Sequence, residues 1–174
     1  LHLFMHDYAE VLAPMESSFP CRQDIEKGDD SHLRWSLRSK DKSGFVFINN
    51  YERLQQLSAK KNVQFEVCGV KFPQRPMTVP AGAMCIFPVN IDGIRYATAQ
   101  LIAKRDGKIY LEQIKGIPTE IAVDGKVLKN VKAKGIGKPV YKNIYLVDSK
   151  TAEHLFLQEE VISVEQKNGS VKSQ

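Results

Sequence analysis

Cysteine is scarce in this chain: Cys21, Cys68 and Cys85 are the only three among 174 residues, odd in number and far apart. That set excludes a full disulfide framework and leaves at most one bridge. The missing C-x-x-C spacing also excludes a zinc ribbon or a thioredoxin-like pair. Thiols placed this way read as small apolar residues in or near the core. Tryptophan is rarer still, with Trp35 alone. No stretch approaches the roughly 18 apolar residues of a membrane span, and the start carries no basic–apolar–small leader pattern. The chain opens on Leu1, not Met, directly in a helical pattern. It therefore reads as a piece of something longer. A (β/α)₈ barrel, which usually needs about 250 residues, does not fit in it.

Hydrophobic residues make up 43% of the chain and charged residues 26%. These values are close to globular averages and exclude wholesale disorder, collagen-like repetition and a membrane bundle. Lysine and arginine total 25 against 20 acidic residues, a formal charge of +5 with a pI near 9.1. So mild an excess describes a solvated surface, not a nucleic-acid-binding one. The length suits one ordinary domain.

Hydrophobic periodicity divides the chain. Residues 1–15 hold a helical stripe of Leu1, Phe4, Met5, Tyr8, Val11 and Leu12. Pro14 closes it, because proline lacks an N–H and restricts its neighbour. Residues 16–32, with Ser17, Ser18, Pro20, Gly28, Asp29, Asp30 and Ser31, read as a polar linker. A β domain is expected over 33–165. Leu33-Arg34-Trp35-Ser36-Leu37-Arg38 alternates like a half-buried strand. Asp41-Lys42-Ser43-Gly44 supplies a turn, and the continuous apolar run Phe45-Val46-Phe47-Ile48 predicts a strand covered on both faces. Val63, Phe65 and Val67 alternate again, and Pro73, Pro76 and Pro80 place the next segment at a sheet edge or in a loop.

Further strands are expected at 84–91, 94–103, 109–114, 119–123, 126–131 and 140–147, separated by turns such as Asp92-Gly93, Asp106-Gly107 and Asp124-Gly125. Frequent turn signals without long helices between strands predict a mostly β chain, an antiparallel β-sandwich or barrel-like domain with short helices at both ends. The C-terminal helix is expected over Ser149–Gln158, capped by Ser149 or Thr151, with Leu155 and Phe156 inward. The polar tail 166–174 is expected to fray.

No catalytic constellation emerges. His2 and His6 sit four apart beside Asp7, a spacing that can hold zinc. The His-x-x-x-His pattern lacks a metalloprotease glutamate and a third ligand, so the pair reads as a solvated helix face; no metal or cofactor is expected. His32 and His154 stand alone, without a nucleophile-elbow serine. Gly135-Ile136-Gly137-Lys138 lacks the Walker spacing and precedes a strand. Glycosidases need two carboxylates, about 5–5.5 Å apart for retention. Glu112 and Glu120 lie on or near neighbouring expected strands, but nothing around them would raise one pKa, and they read as solvated.

Lys126, Lys129, Lys132, Lys134, Lys138 and Lys142 form the strongest charge feature. Lysines on sheet turns discourage edge pairing, and the alternative is a grip on an anionic polymer. The candidate carbohydrate-contact residues are Asn49, Asn50, Tyr51 and Arg53, whose amides, phenol and guanidinium can hydrogen-bond sugar hydroxyls. Trp35 shares a strand face with Leu33 and Leu37 and belongs in the core.

The helix Leu1-His2-Leu3-Phe4-Met5-His6-Asp7-Tyr8-Ala9-Glu10-Val11-Leu12-Ala13-Pro14-Met15 resembles the segment leaving the catalytic barrel in bacterial family 35 glycoside hydrolases, the β-galactosidases. Leu33–Arg38 and Ser43-Gly44-Phe45-Val46-Phe47-Ile48-Asn49-Asn50-Tyr51-Glu52-Arg53 resemble the β-rich domain that follows that barrel. Tyr96-Ala97-Thr98-Ala99-Gln100 and Gly116-Ile117-Pro118-Thr119-Glu120 are similar to its later strands, so the resemblance covers roughly residues 1–125. It implies a parent that releases terminal β-linked galactose with retention, through two barrel glutamates. No position here matches those motifs, so no catalytic residue carries over.

For this chain the resemblance implies a non-catalytic accessory domain supporting the barrel and the rim of its substrate site. The implied partners are the upstream barrel of the same polypeptide and galactoside-containing glycans, with no nucleic acid and no membrane. The implied parent is periplasmic or secreted. A stand-alone carbohydrate-binding module and a polyanion-binding domain are the alternatives.

Overall fold

The computed structural model describes residues 1–19 and 25–155. Its centre is a seven-stranded sheet in the order β1 (Glu16–Ser18), β2 (Arg34–Lys40), β3 (Ser43–Asn49), β6 (Met84–Ile91), β7 (Ile94–Ala97), β10 (Ile121–Val123) and β11 (Lys126–Leu128), antiparallel throughout. The hairpin β4 (Lys60–Val67) and β5 (Val70–Val79) forms a second sheet. The third has the order β12 (Ile144–Val147), β9 (Lys108–Glu112), β8 (Gln100–Arg105). This is the mostly β, sandwich-like fold expected from the turn spacing. One pairing departs from the antiparallel expectation: β12 runs parallel to β9. The 31-residue stretch 113–143 carries the chain back in the same direction, as a parallel pair requires.

Both faces of the central sheet are covered, which explains the unbroken run in β3. Phe45 and Phe47 point to one side, towards helix α1 (His2–Leu12) and the small sheet residues Leu101, Leu111 and Leu146. Val46 and Ile48 point to the other, where Phe65, Phe72 and Val79 of the β4–β5 hairpin close over them. Trp35 joins that second core half-buried, its ring edge-on to Phe65 at a centroid distance of 5.0 Å. The β2–β3 turn is tighter than the four residues read from sequence. Asp41 and Lys42 both adopt positive φ, 51° and 67°, and Ser43 and Gly44 already pair with β2, the pattern of a two-residue hairpin.

Helix α1 is part of this core. Leu3, Phe4, Tyr8 and Leu12 are buried, whereas Leu1, Met5 and Val11, expected in the stripe, are exposed. Apolar residues occupy more than one arc of the helix, and the aromatic sheet face beneath selects the arc. Phe4 lies edge-on to Phe45 and stacks on Tyr8, at 5.2 and 5.5 Å. The Tyr8 hydroxyl donates to Asp92 at 2.9 Å. Arg38 then donates to the carbonyls of Leu12 and Met15, satisfying acceptors left open at the helix end.

Other boundaries differ from the sequence expectation for local reasons. Residues 16–18, read as linker, are strand β1 against β2. The single strand expected at 94–103 breaks at Thr98-Ala99. There the fully buried Thr98 hydroxyl donates to Pro118 O and accepts from Glu120 N–H, both at 2.8 Å, and the chain passes from the central to the small sheet. Strands expected at 126–131 and 140–147 are cut short by left-handed Asn130 and Lys142. Helix α2 (149–155) is capped by Asp148, not Ser149 or Thr151: its carboxylate accepts Thr151 N–H at 2.8 Å. Cys68 and Cys85 are free thiols. Pro20, Cys21, Phe156 and the tail 166–174 lie outside the described residues.

Candidate functional site

Strand β3 delivers Asn49, Asn50, Tyr51 and Arg53 to the start of the loop 50–59. Asn50 is the exception among them. It is 1% exposed; its amide donates to Ser58 O at 3.0 Å and Pro80 O at 2.9 Å, and its oxygen accepts from Lys60 Nζ at 3.0 Å. With its polar atoms engaged inward, Asn50 is a framework residue and offers nothing to a ligand. Lys60 also donates to Asp30 at 2.6 Å and Ser58 O at 2.9 Å. The Lys60 ammonium and the hydrogen bonds from Ser58 hold the Asp30 carboxyl down at about 2. On the other side of the loop, Arg34 donates to Glu52 at 2.7 Å, and Gly28 N–H adds to it. Those bonds hold Glu52 below the usual carboxylate range.

The loop thus stands on two ionic struts, with Asn49, Tyr51 and Arg53 exposed on it. Asn49 Oδ1 accepts Tyr51 N–H at 3.0 Å. The struts went unseen in the sequence. Asp30 belongs to the segment read as a polar linker, and only its meeting with Lys60 across 30 positions assigns either residue.

Asn49 also borders a groove of about 850 Å³ where the central sheet parts from the small sheet. Arg34, Phe47, Met84 and Ile86 form one wall, Gln100, Glu112 and Ile114 the other, and Leu1 and Phe19 stand at its mouth. A second groove of about 800 Å³ shares Leu1, Gln100 and Glu112 and continues past Met5, Ile102 and Ala152. Both are lined mainly by apolar atoms. Gln100 is fixed in place: Oε1 accepts Ile86 N–H at 2.7 Å and Nε2 donates to Leu101 O at 2.8 Å. Leu1, Met84 and Phe19 are 79%, 62% and 55% exposed. Several large apolar side chains brought together at one surface mark a place where another surface packs. The volumes also fall in the range of ligand clefts.

The remaining sequence candidates disperse. His6 bonds its neighbour Asp7 at 2.8 Å, and Asp7 accepts Lys104 N–H and pairs with Arg105. Among the described residues no three His, Cys, Asp or Glu side chains converge as a metal would need. Glu112 and Glu120, read on or near neighbouring strands, are apart: Glu112 ends β9 of the small sheet and Glu120 lies in the loop just before β10 of the central sheet. Glu112 lines the apolar grooves, while Glu120 accepts from Tyr96 OH at 2.6 Å and Gln74 N–H at 2.9 Å. The lysine cluster splits in two. Lys126 and Lys142 flank the Tyr141 ring at 5.9 and 5.6 Å, with Lys142 paired to Asp124, whereas Lys129 and Lys132 line depressions beside β5 and the loop 113–119. No family model, curated protein or solved structure matches this chain.

Proposed function

We propose that this chain is the non-catalytic β domain of a β-galactosidase-like glycoside hydrolase, placed after the catalytic barrel, which it supports along with the rim of the substrate site. The likeness of roughly residues 1–125 to that region points to the parent. The structural observation that carries the reading is the exposed apolar surface of Leu1, Met5, Phe19 and Met84 around two adjoining grooves, beside the helix that resembles the barrel's exit. Because Phe4 and Tyr8 anchor that helix in the β core, whatever packs on its outer side is held rigidly against the sheets. The barrel would cover this surface, and the struts of the 50–59 loop would hold Asn49, Tyr51 and Arg53 at a fixed height beside it. The parent would be a periplasmic or secreted protein.

The deciding measurement is the mass of the native polypeptide in source-cell extract, detected with an antibody to this chain. A band several times heavier than 19.7 kDa, with galactosidase activity that co-purifies with it, supports the proposal. A native species near 19.7 kDa, or hydrolysis of a chromogenic galactoside by the isolated chain, overturns it. The exposed Tyr51 ring, 48% accessible, favours one further reading, direct contact with a galactoside. That reading requires measurable affinity of the isolated chain for a galactoside and its loss on Tyr51→Ala.

A further inference from the structure

Three adjoining depressions run across the face made by β5, the loop 113–120 and residues 129–132. The first is lined by Gln64, Lys71, Gln74, Arg75 and Lys129. It shares Arg75 and Lys129 with the second, of about 610 Å³, which adds Thr78, Asn130 and Thr119. The second shares Thr119 and Asn130 with the third, where Lys115 and Lys132 stand. Successive sharing of walls makes one continuous track. Among the described residues its lining holds five cations, Lys71, Arg75, Lys115, Lys129 and Lys132, against two carboxylates, Glu120 and Asp148.

Both carboxylates already accept hydrogen bonds, Glu120 from Gln74 N–H and Tyr96 OH, Asp148 from Thr151 N–H. Among the described residues none of the five cations takes part in an ion pair. Glu66, opposite Lys71 in the hairpin register, does not line the track. Thr119, 1% exposed where two depressions meet, has a hydroxyl with no hydrogen-bond partner among the described residues. Buried polar groups are otherwise nearly always satisfied.

The walls are braced. Gln74 N–H bonds Glu120 at 2.9 Å, Val131 N–H bonds Thr119 O at 3.0 Å, and the Thr98 hydroxyl bonds both Pro118 O and Glu120 N–H. Cations held on rigid elements along a track suit a chain that repeats its negative charge. Among the described residues the lining contains no aromatic ring. Single-stranded nucleic acid is gripped by stacking its bases on aromatic side chains, so the chemistry favours a polyanion without bases.

We propose that this track binds a linear sulfated polysaccharide, with Lys71, Arg75 and Lys129 holding sulfate oxygens at one end and Lys115 and Lys132 extending the grip towards the other. The proposal does not depend on the enzyme-domain reading and would hold equally for a chain acting alone. Guanidinium and ammonium groups bind such oxyanions through charge-assisted hydrogen bonds, and each contact releases counterions, so affinity falls steeply with salt.

The test is titration of the whole chain with dextran sulfate, neutral dextran, inorganic sulfate and oligothymidylate across a salt series. Two triple variants with the same charge change are compared with the parent. One is Lys71→Ala/Arg75→Ala/Lys129→Ala in the track; the other is Lys126→Ala/Lys134→Ala/Lys138→Ala outside it. All six side chains are exposed, and thermal unfolding checks that both variants fold. The expected result is binding of dextran sulfate but not dextran, with inorganic sulfate competing only weakly. The track variant should then lose roughly tenfold or more in affinity and flatten the salt slope by about 2, with less than about threefold lost in the outside variant.

Equal losses in the two variants would reduce the binding to net charge and overturn the proposal. Inorganic sulfate competing as strongly as the polymer would reduce it to a single-anion site, and tighter binding of oligothymidylate would assign the track to nucleic acid; either result overturns it too.

Discussion

Replacing Phe4 by alanine tests whether the first helix belongs to the β domain or merely adjoins it. The Phe4 ring is fully buried. It stacks on Tyr8 at 5.5 Å and meets Phe45 and Phe47 edge-on at 5.2 and 6.4 Å. Phe→Ala at such a site removes the ring's transfer energy and leaves a cavity, typically costing about 3–5 kcal/mol. The two sheet phenylalanines sit in β3, whose backbone is fixed by pairing on both sides, so collapse into the space is limited and the upper half of that range applies.

Domains are stable by only about 5–15 kcal/mol, so this single change should remove about a quarter or more of the total. At this chain length each kcal/mol shifts Tm by about 2–4 °C, giving a fall on the order of 10 °C. Urea denaturation followed by far-UV circular dichroism and Trp35 fluorescence measures both the midpoint and its slope. Met5→Ala, on the exposed side of the same helix, is the control and should stay within about 0.5 kcal/mol of the parent. A Phe4→Ala variant within about 1 kcal/mol of the parent at unchanged slope would mean that the helix is not seated in the core, and the reasoning would fail.

Three other outcomes are expected from packing and charge. Gly44→Ala should destabilise by about 1–3 kcal/mol in the same urea assay, because a Cβ there would meet Arg38 O at 2.6 Å and Ser39 Cβ at 3.0 Å, and a paired backbone carbonyl cannot yield. Asp30 has its folded pKa lowered to about 2 from the ordinary 3.8. Its contribution is therefore complete above the unfolded value and is lost as pH falls from 3.8 through 2. Asp30→Asn should lower Tm at neutral pH and show a shallower decline across that acid window than the parent. Burial pushes the Cys85 thiol up to about 12, so iodoacetamide at mildly alkaline pH should leave Cys85 unlabelled in the native chain and label it in urea, read by peptide mass. Fast native labelling would mean that strand β6 opens.

The β class was legible because alternation and turn residues are local signals. Val63, Phe65 and Val67, the strand at 84–91, and the Asp-Gly turns all sit where period two and φ preference put them. Strand ends were less legible, since several are set by tertiary contacts. Thr98 breaks one strand into two because its hydroxyl finds Pro118 and Glu120, partners 20 and 22 residues away. The same limit applied to α1. Leu1, Met5 and Val11 satisfy helical periodicity as well as Leu3 does, and the aromatic face of β3 and the surface at Ile102 decide which residues turn inward.

The functional surfaces were less legible still, and for one physical reason. A sequence groups charges by chain proximity, whereas a binding surface groups them by topology. The six lysines from 126 to 142 look like one patch. Left-handed Asn130 and Lys142 turn the chain between them, so Lys126 and Lys142 end on Tyr141 while Lys129 and Lys132 go to the track. The partners they meet there, Lys71, Arg75 and Lys115, come from the β5 edge and from the loop after β9. Those segments carry no charge run of their own. The prolines at 73 and 76, read as marks of a sheet edge or a loop, line the track together with Arg75 and Lys129. If the track is a working surface, neutralising Lys71 or Arg75 should cost more polyanion affinity than neutralising Lys134 or Lys138, although the latter two lie in the longer lysine run. That ordering is the reverse of what sequence proximity predicts, and it separates a topological site from a solvating charge cluster.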